Sequence, residues 1–358
     1  MTDALANAIG RLIMVGVRGA EPGDPALESD LDACVEARCR GVILFDRDLP
    51  SGGSRNIRSP EQVRRLTSHL RNRLGPDTLI AIDQEGGRVA RMKPEAGFAP
   101  SITASAFARL SPPDRRREAD RLAQSVADAD IDINFAPCVD LASNPANPII
   151  AALDRAFSAD PNIVFTMAGE IVDAHHRAGV APCLKHFPGH GSSTADSHLG
   201  VADITETFDA DRELAPYRRL LSRDEATEGP IAVMTGHLAH RAIDDALPAS
   251  LSHSHTTGLL RQEIGFGGVI VADSIDMAAV AERHSIEESA VLALRAGADV
   301  ILDCNNAPGP SRPCPALRIR AAIAEAVRAD RTGVTERRIH ESADRIRQLA
   351  EWTRRNRA

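Results

Sequence analysis

Apolar residues gather in eight short runs along the chain, at positions 12–17, 41–45, 79–83, 133–137, 181–187, 231–237, 268–273 and 299–303. Each run is continuously apolar rather than alternating with polar positions, as in strands buried on both faces. Between the runs the spacing turns helical. Ser59-Pro60-Glu61-Gln62 reads as a capping box with proline at the first helical position, and Val63, Leu66, Leu70 and Leu74 follow on one helical face. Asp160-Pro161 opens another helix, with Val164, Met167, Ala168 and Ile171 along one face and Gly179 as its stop. Ser285-Ile286-Glu287-Glu288 reads as a second capping box, and Gly297 ends the helix that it starts. The tail predicts C-terminal helices at about 316–352.

Strand and helix alternating eight times predict an α/β fold, a (β/α)8 barrel of TIM type forming a single domain over residues 1–358. A doubly wound open sheet is the alternative. Against it, no GxGxxG follows the first run. The Gly/Pro/Ser-rich stretches 50–58 and 308–315 read as loops rather than domain linkers.

Composition narrows the function. The chain has one tryptophan, Trp352, and one tyrosine, Tyr217, so a carbohydrate site would depend more on charged and polar groups than on aromatic platforms. The net charge of −8, with no long run of like charges, reads as a solvated acidic surface and argues against a nucleic-acid partner. The six cysteines, at 34, 39, 138, 183, 304 and 314, are scattered without a CxxC pair, which favours a reducing compartment. The N-terminus lacks the basic region and cleavage site of a signal peptide, and no apolar stretch approaches the roughly 20 residues of a membrane span. The expectation is a cytoplasmic protein with no membrane partner.

Barrel enzymes carry their chemistry at the C-terminal ends of the strands. Four polar clusters fall there: Asp83 at the end of the third run, Lys185 and His186 near the end of the fifth, His237 at the end of the sixth and Asp273 at the end of the seventh. Each has a bland reading. Asp83 and Asp273 can cap helices, Gly86-Gly87 and Pro188-Gly189 can be turns, and His237 can be a satisfied core histidine. Their coincidence at one rim favours a site.

These residues also carry a resemblance. Ile82-Asp83-Gln84-Glu85-Gly86-Gly87-Arg88-Val89 and Lys185-His186-Phe187-Pro188-Gly189-His190-Gly191, followed by Asp196-Ser197-His198, resemble the signatures of glycoside hydrolase family 3, in its β-N-acetylglucosaminidase branch. The resemblance spans about residues 8–350 and implies a retaining glycosidase. Asp273 would be the nucleophile, and His198, oriented by Asp196, the acid/base in place of the usual second carboxylic acid. Asp83, Arg91, Arg155, Lys185 and His186 would bind the sugar. The implied partner is a small carbohydrate, a muropeptide or related glycoside of cell-wall recycling, with no cofactor and no metal.

The chain departs from the pattern at three places. Ala272-Asp273-Ser274-Ile275 replaces the usual Ser-Asp-Asp-Leu, with Asp276 next. About two extra residues precede Arg155, which puts its reach in question. Thr235-Gly236-His237 replaces Thr-Ala-His. Three alternatives follow: a phosphorylase using the same site, a non-catalytic sugar-binding barrel, and a metal-dependent hydrolase with Lys185, His186, His190, His237 and Asp273 as its ligand set.

Overall fold

The computed structural model describes residues 1–195, 200–223, 228–329 and 333–357. Eight parallel strands close a barrel: β1 (Ile13–Gly16), β2 (Gly41–Leu44), β3 (Leu79–Ile82), β4 (Ile133–Asn134), β5 (Ala181–Phe187), β6 (Ala232–Thr235), β7 (Ile270–Ala272) and β8 (Val300–Asp303). Each strand pairs with its neighbours in sequence, and β8 closes the ring on β1. The open-sheet alternative is thereby excluded. All eight strands are buried along their length, which accounts for their continuously apolar sequences.

Most strands are shorter than their apolar runs. The run at 133–137 keeps only Ile133 and Asn134 as strand, because the Ala136 amide turns back onto the Asn134 carbonyl and Pro137 has no N–H to give. Between Leu184 and Phe187 the register of β5 against β6 shifts. The segment holding Lys185 and His186 is therefore irregular where it reaches the rim.

The main outer helices are α1 (Asp3–Arg11), α2 (Pro25–Ala37), α3 (Pro60–Leu74), α4 (Pro112–Asp128), α5 (Pro161–Arg177), α6 (Ala215–Leu220), α7 (Ile286–Ala296), α8 (Ala316–Arg328) and α9 (Glu336–Asn356). A π-helical turn, Ser254–Glu263, precedes β7. The Ser285 capping box forms in full, with Ser285 and Glu288 each bonding the other's backbone N–H. At Ser59 only half forms. Ser59 Oγ accepts from Gln62 N–H, but Gln62 Oε1 accepts from Arg58 N–H at 2.8 Å and its amide donates to the Ala20 and Asn56 carbonyls. The buried Gln62 amide is committed to tertiary contacts that a capping box would forfeit.

The two ends of the barrel use carboxylates differently. Asp132 and Asp299 lie just before β4 and β8 and are fully enclosed by arginines. Arg71 and Arg357 each reach Asp132 at 2.9 Å, while Arg338 and Arg345 reach Asp299 at 3.2 and 3.1 Å. These pairs tie helices, α9 among them, to the floor of the barrel. At the opposite rim, Asp83 and Asp273 follow β3 and β7 and are only partly covered.

Candidate active site

Asp83 leaves β3 into a turn that only glycine permits. Gly86 and Gly87 have φ of 108° and 57°, and a Cβ at Gly86 would lie 2.4 Å from the Ile102 carbonyl oxygen. The turn folds Arg91 back, so that it reaches Asp83 at 3.3 Å. From β5, Lys185 Nζ comes within 2.7 Å of both Asp83 Oδ1 and Glu85 Oε1. Glu85 in turn takes a bidentate pair from Arg155, at 2.9 and 2.7 Å. Arg155 Nη2 also donates to His186 Nε2 at 3.2 Å, which leaves the His186 proton on Nδ1, where it meets Asp140 at 2.7 Å. The five residues expected to bind sugar are thus one connected network, with Glu85 linking Lys185 to Arg155 and Asp140 backing His186.

Arg155 follows a tight turn. Asn147 Oδ1 accepts from the Ile149 and Ile150 amides, and Arg155 N–H closes on the Ile150 carbonyl, with Asp154 at φ 54°. That turn delivers Arg155, buried, onto Glu85.

Lys185 is one of only two lysines among 42 cationic side chains, and the other, Lys93, bonds Asp46 beside Arg91. An ammonium group is a compact charge that can touch two carboxylates set at an angle, whereas a guanidinium fork is planar. Burial alone would raise the carboxyl groups, but the neighbouring cations outweigh it. Lys185 and Arg91 hold Asp83 well below the usual range, and Arg155 and Lys185 bring Glu85 down to about 2. Burial would likewise lower Lys185, but Asp83 and Glu85 raise it above its ordinary value. All of these groups are charged at neutral pH, and sugar hydroxyls would meet charge-assisted donors and acceptors.

Sequence reasoning left two members of the network unassigned. Glu85 stands two positions from Asp83 within the quoted motif. Asp140 follows β4 at the same rim, in Cys138-Val139-Asp140, where a strand-end carboxylate was the available signal. Asp140 also accepts the His190 amide at 2.7 Å and so fixes the loop after β5 to β4.

Asp273 follows β7. Its amide donates to the Thr235 carbonyl, and its Oδ1 accepts from the Ser274 amide at 2.8 Å. It caps no helix: the next one, Ala278–Ala281, begins after Met277. His237 takes the bland reading. Fully buried, it accepts from Ser250 Oγ at 2.6 Å and donates to the Ser274 carbonyl at 2.8 Å. Both ring nitrogens are used, so His237 does not serve the metal-ligand set with Lys185, His186, His190 and Asp273. Cys138, Asp140 and His186 bring potential ligand atoms within 4.8 Å of one another. Asp140 is already bonded to both of the others, and burial holds the Cys138 thiol well above its ordinary pKa, in the protonated form. Asp196 and His198 lie outside the described residues.

Neither Tyr217 nor Trp352 offers an aromatic platform here. Tyr217 is fully buried against Phe187, and Trp352 packs on His176.

Glu213, at the end of the short helix Ala210–Glu213, lies against the same loop after β5. A side chain at Gly189 would meet its carboxyl at 2.5 Å. Burial, reinforced by the charge of Asp140, pushes Glu213 up to about 8. The folded protein therefore keeps this proton to a higher pH than the unfolded chain does. Stability falls as pH rises from the ordinary glutamate range toward 8. Glu213→Gln is expected to leave the thermal midpoint nearly unchanged at pH 4.5 and raise it by about 4 °C at pH 8, for roughly 3 kcal/mol. Equal gains at both pH values would show that the carboxyl does not titrate in this range.

Residues 5–349 match the Glycosyl hydrolase family 3 N terminal domain. A "Beta-hexosaminidase" of Idiomarina loihiensis is 32% identical over 304 residues, covering 83% of this chain and 84% of the relative. Another "Beta-hexosaminidase", of Alkalilimnicola ehrlichii, is 37% identical over 278 residues, covering 75% and 74% respectively. Among solved structures, a glycoside hydrolase family 3 beta-N-acetylglucosaminidase from Paenibacillus sp. superposes with a TM-score of 0.84 at 31% identity, covering 99% of this chain and 63% of that one. With its closed barrel and the charged network at the strand ends, the chain belongs to glycosyl hydrolase family 3.

Proposed function

We propose that this protein is a retaining exo-β-N-acetylglucosaminidase that removes terminal β-linked N-acetylglucosamine, with fragments of the bacterial cell wall as its substrates in the cytoplasm. The observation that carries the reading is the Asp83–Lys185–Glu85–Arg155–His186 network, at the same barrel rim as an Asp273 carboxylate held by the Ser274 amide. The names of the relatives support the sugar. The cell-wall source rests on the motif resemblance alone.

In this reading Asp83, Arg91, Arg155, Lys185 and His186 hold the sugar, with Asp83 accepting from its hydroxyls. Multidentate holding places the anomeric carbon for attack. Asp273 attacks that carbon and forms a glycosyl ester as the bond to the leaving oxygen breaks. His198 gives the leaving oxygen a proton, then takes one from the water that hydrolyses the ester. Asp196, two residues away, orients the imidazole. The sugar leaves with its β configuration retained.

The test is release of nitrophenol from p-nitrophenyl N-acetyl-β-glucosaminide, with and without a chelator and with and without inorganic phosphate. The expected result is turnover indifferent to the chelator, yielding free N-acetylglucosamine even in phosphate. Formation of the sugar 1-phosphate would make the protein a phosphorylase, and inhibition by the chelator would favour the metal-dependent hydrolase. No turnover by folded protein would make it a sugar-binding barrel.

A further inference from the structure

The segment that carries Asp273 has lost the carboxylate expected at position 274, yet the structure holds a carboxylate against that position. Ser274 Oγ donates to Asp276 Oδ1 at 2.5 Å. The same hydroxyl accepts from the Cys304 amide at 2.8 Å, and Asp276 Oδ2 accepts from the Asn306 amide at 3.0 Å and from Arg312 at 3.1 Å. Ser274 and Asp276 are both buried. This hydroxyl–carboxylate pair staples the turn after β7 to the exit of β8.

The staple acts on the group that reacts. The Ser274 amide holds Asp273 Oδ1, so the orientation of the Ser274 peptide sets the orientation of the nucleophile. His237 anchors the next peptide through the Ser274 carbonyl, and the Ser274 side chain ties the same residue to Asp276 and to the Cys304 amide at the exit of β8, so Ser274 is held on both sides. We infer that Asp276 is a positioning residue for Asp273, supplying from position 276 the carboxylate that position 274 lacks, with donor and acceptor exchanged. Resting on Asp273 as nucleophile, the inference assigns Asp276 no contact with substrate. Arg312, which also pairs with Asp303 at 2.9 Å, offsets the added charge.

Exchanging the two residues again tests it. Asp276→Asn keeps the shape and removes the charge, and about a 10- to 100-fold loss in kcat with little change in KM is expected, the size of effect that a displaced reacting group produces. Ser274→Asp alone sets two carboxylates against each other, with a comparable loss expected. The double variant Ser274→Asp/Asp276→Ser restores one carboxylate and one hydroxyl, and is expected to recover kcat to within about 5-fold of wild type, because residues within one network couple strongly. Thermal melts of each variant separate loss of fold from loss of rate, and Ser274→Ala gives a second, charge-neutral break of the staple. Wild-type kcat in Asp276→Asn, or a double variant no better than the product of the single losses, would overturn the inference while leaving Asp273 as nucleophile. A sugar ester found on Asp276 would overturn both.

Discussion

Asp273→Ala is expected to lower kcat/KM on p-nitrophenyl N-acetyl-β-glucosaminide by about 10⁴-fold or more without unfolding the protein. The residue is partly buried at the strand end, outside the barrel core, so truncating it opens no cavity there. With Asp273 as the proposed nucleophile, what would be lost is the bond to the anomeric carbon, and binding through the Asp83–Lys185–Glu85–Arg155 network would not replace it. Substrate affinity in the variant, measured by equilibrium binding, is expected to stay within several-fold of wild type. Wild-type turnover in Asp273→Ala would end the assignment. Asp276 would not then be the natural successor, because its two oxygens are already committed to Ser274, Asn306 and Arg312.

His198→Ala is expected to separate substrates by their leaving groups. Nitrophenolate departs without a proton, so kcat/KM for the aryl glycoside, which reports formation of the ester, falls by less than about 10-fold. A sugar aglycone needs the proton, and its kcat/KM falls by the 10²- to 10⁴-fold typical of lost general acid catalysis. With His198 as the proposed acid/base, the variant would also lack the base for the second step. On the aryl substrate kcat and KM are therefore expected to fall together, as the glycosyl ester accumulates. Equal losses of kcat/KM on both substrates would remove His198 from the acid role.

The barrel was legible because its strands are buried on both faces and read as unbroken apolar runs, while capping residues such as Ser285 and Glu288 marked helix starts. Strand ends were less legible, since a run such as 133–137 stays apolar after Asn134, where the regular strand ends. At the rim, Asp83, Lys185 and His186 announced themselves as charged or polar residues interrupting apolar sequence. Glu85 and Asp140 did not, because their role as connectors depends on partners 70 and 46 positions away in Arg155 and His186. His237 shows the opposite limit. It occupies a strand end like the others, but its two hydrogen bonds, to Ser250 and to the Ser274 carbonyl, are tertiary facts, and they turn a possible ligand into a support for the turn that carries Asp273. The half-formed cap at Ser59 has the same origin: Gln62 fits the local motif, and tertiary carbonyls claimed its amide.

The most direct measurement is to quench His198→Ala during turnover of p-nitrophenyl N-acetyl-β-glucosaminide, digest it, and locate the bound sugar by fragmentation of its peptides. The retaining mechanism requires one N-acetylglucosaminyl ester on Asp273. An ester on any other carboxylate, or an unmodified enzyme in steady turnover whose product is released with inverted configuration, would contradict it.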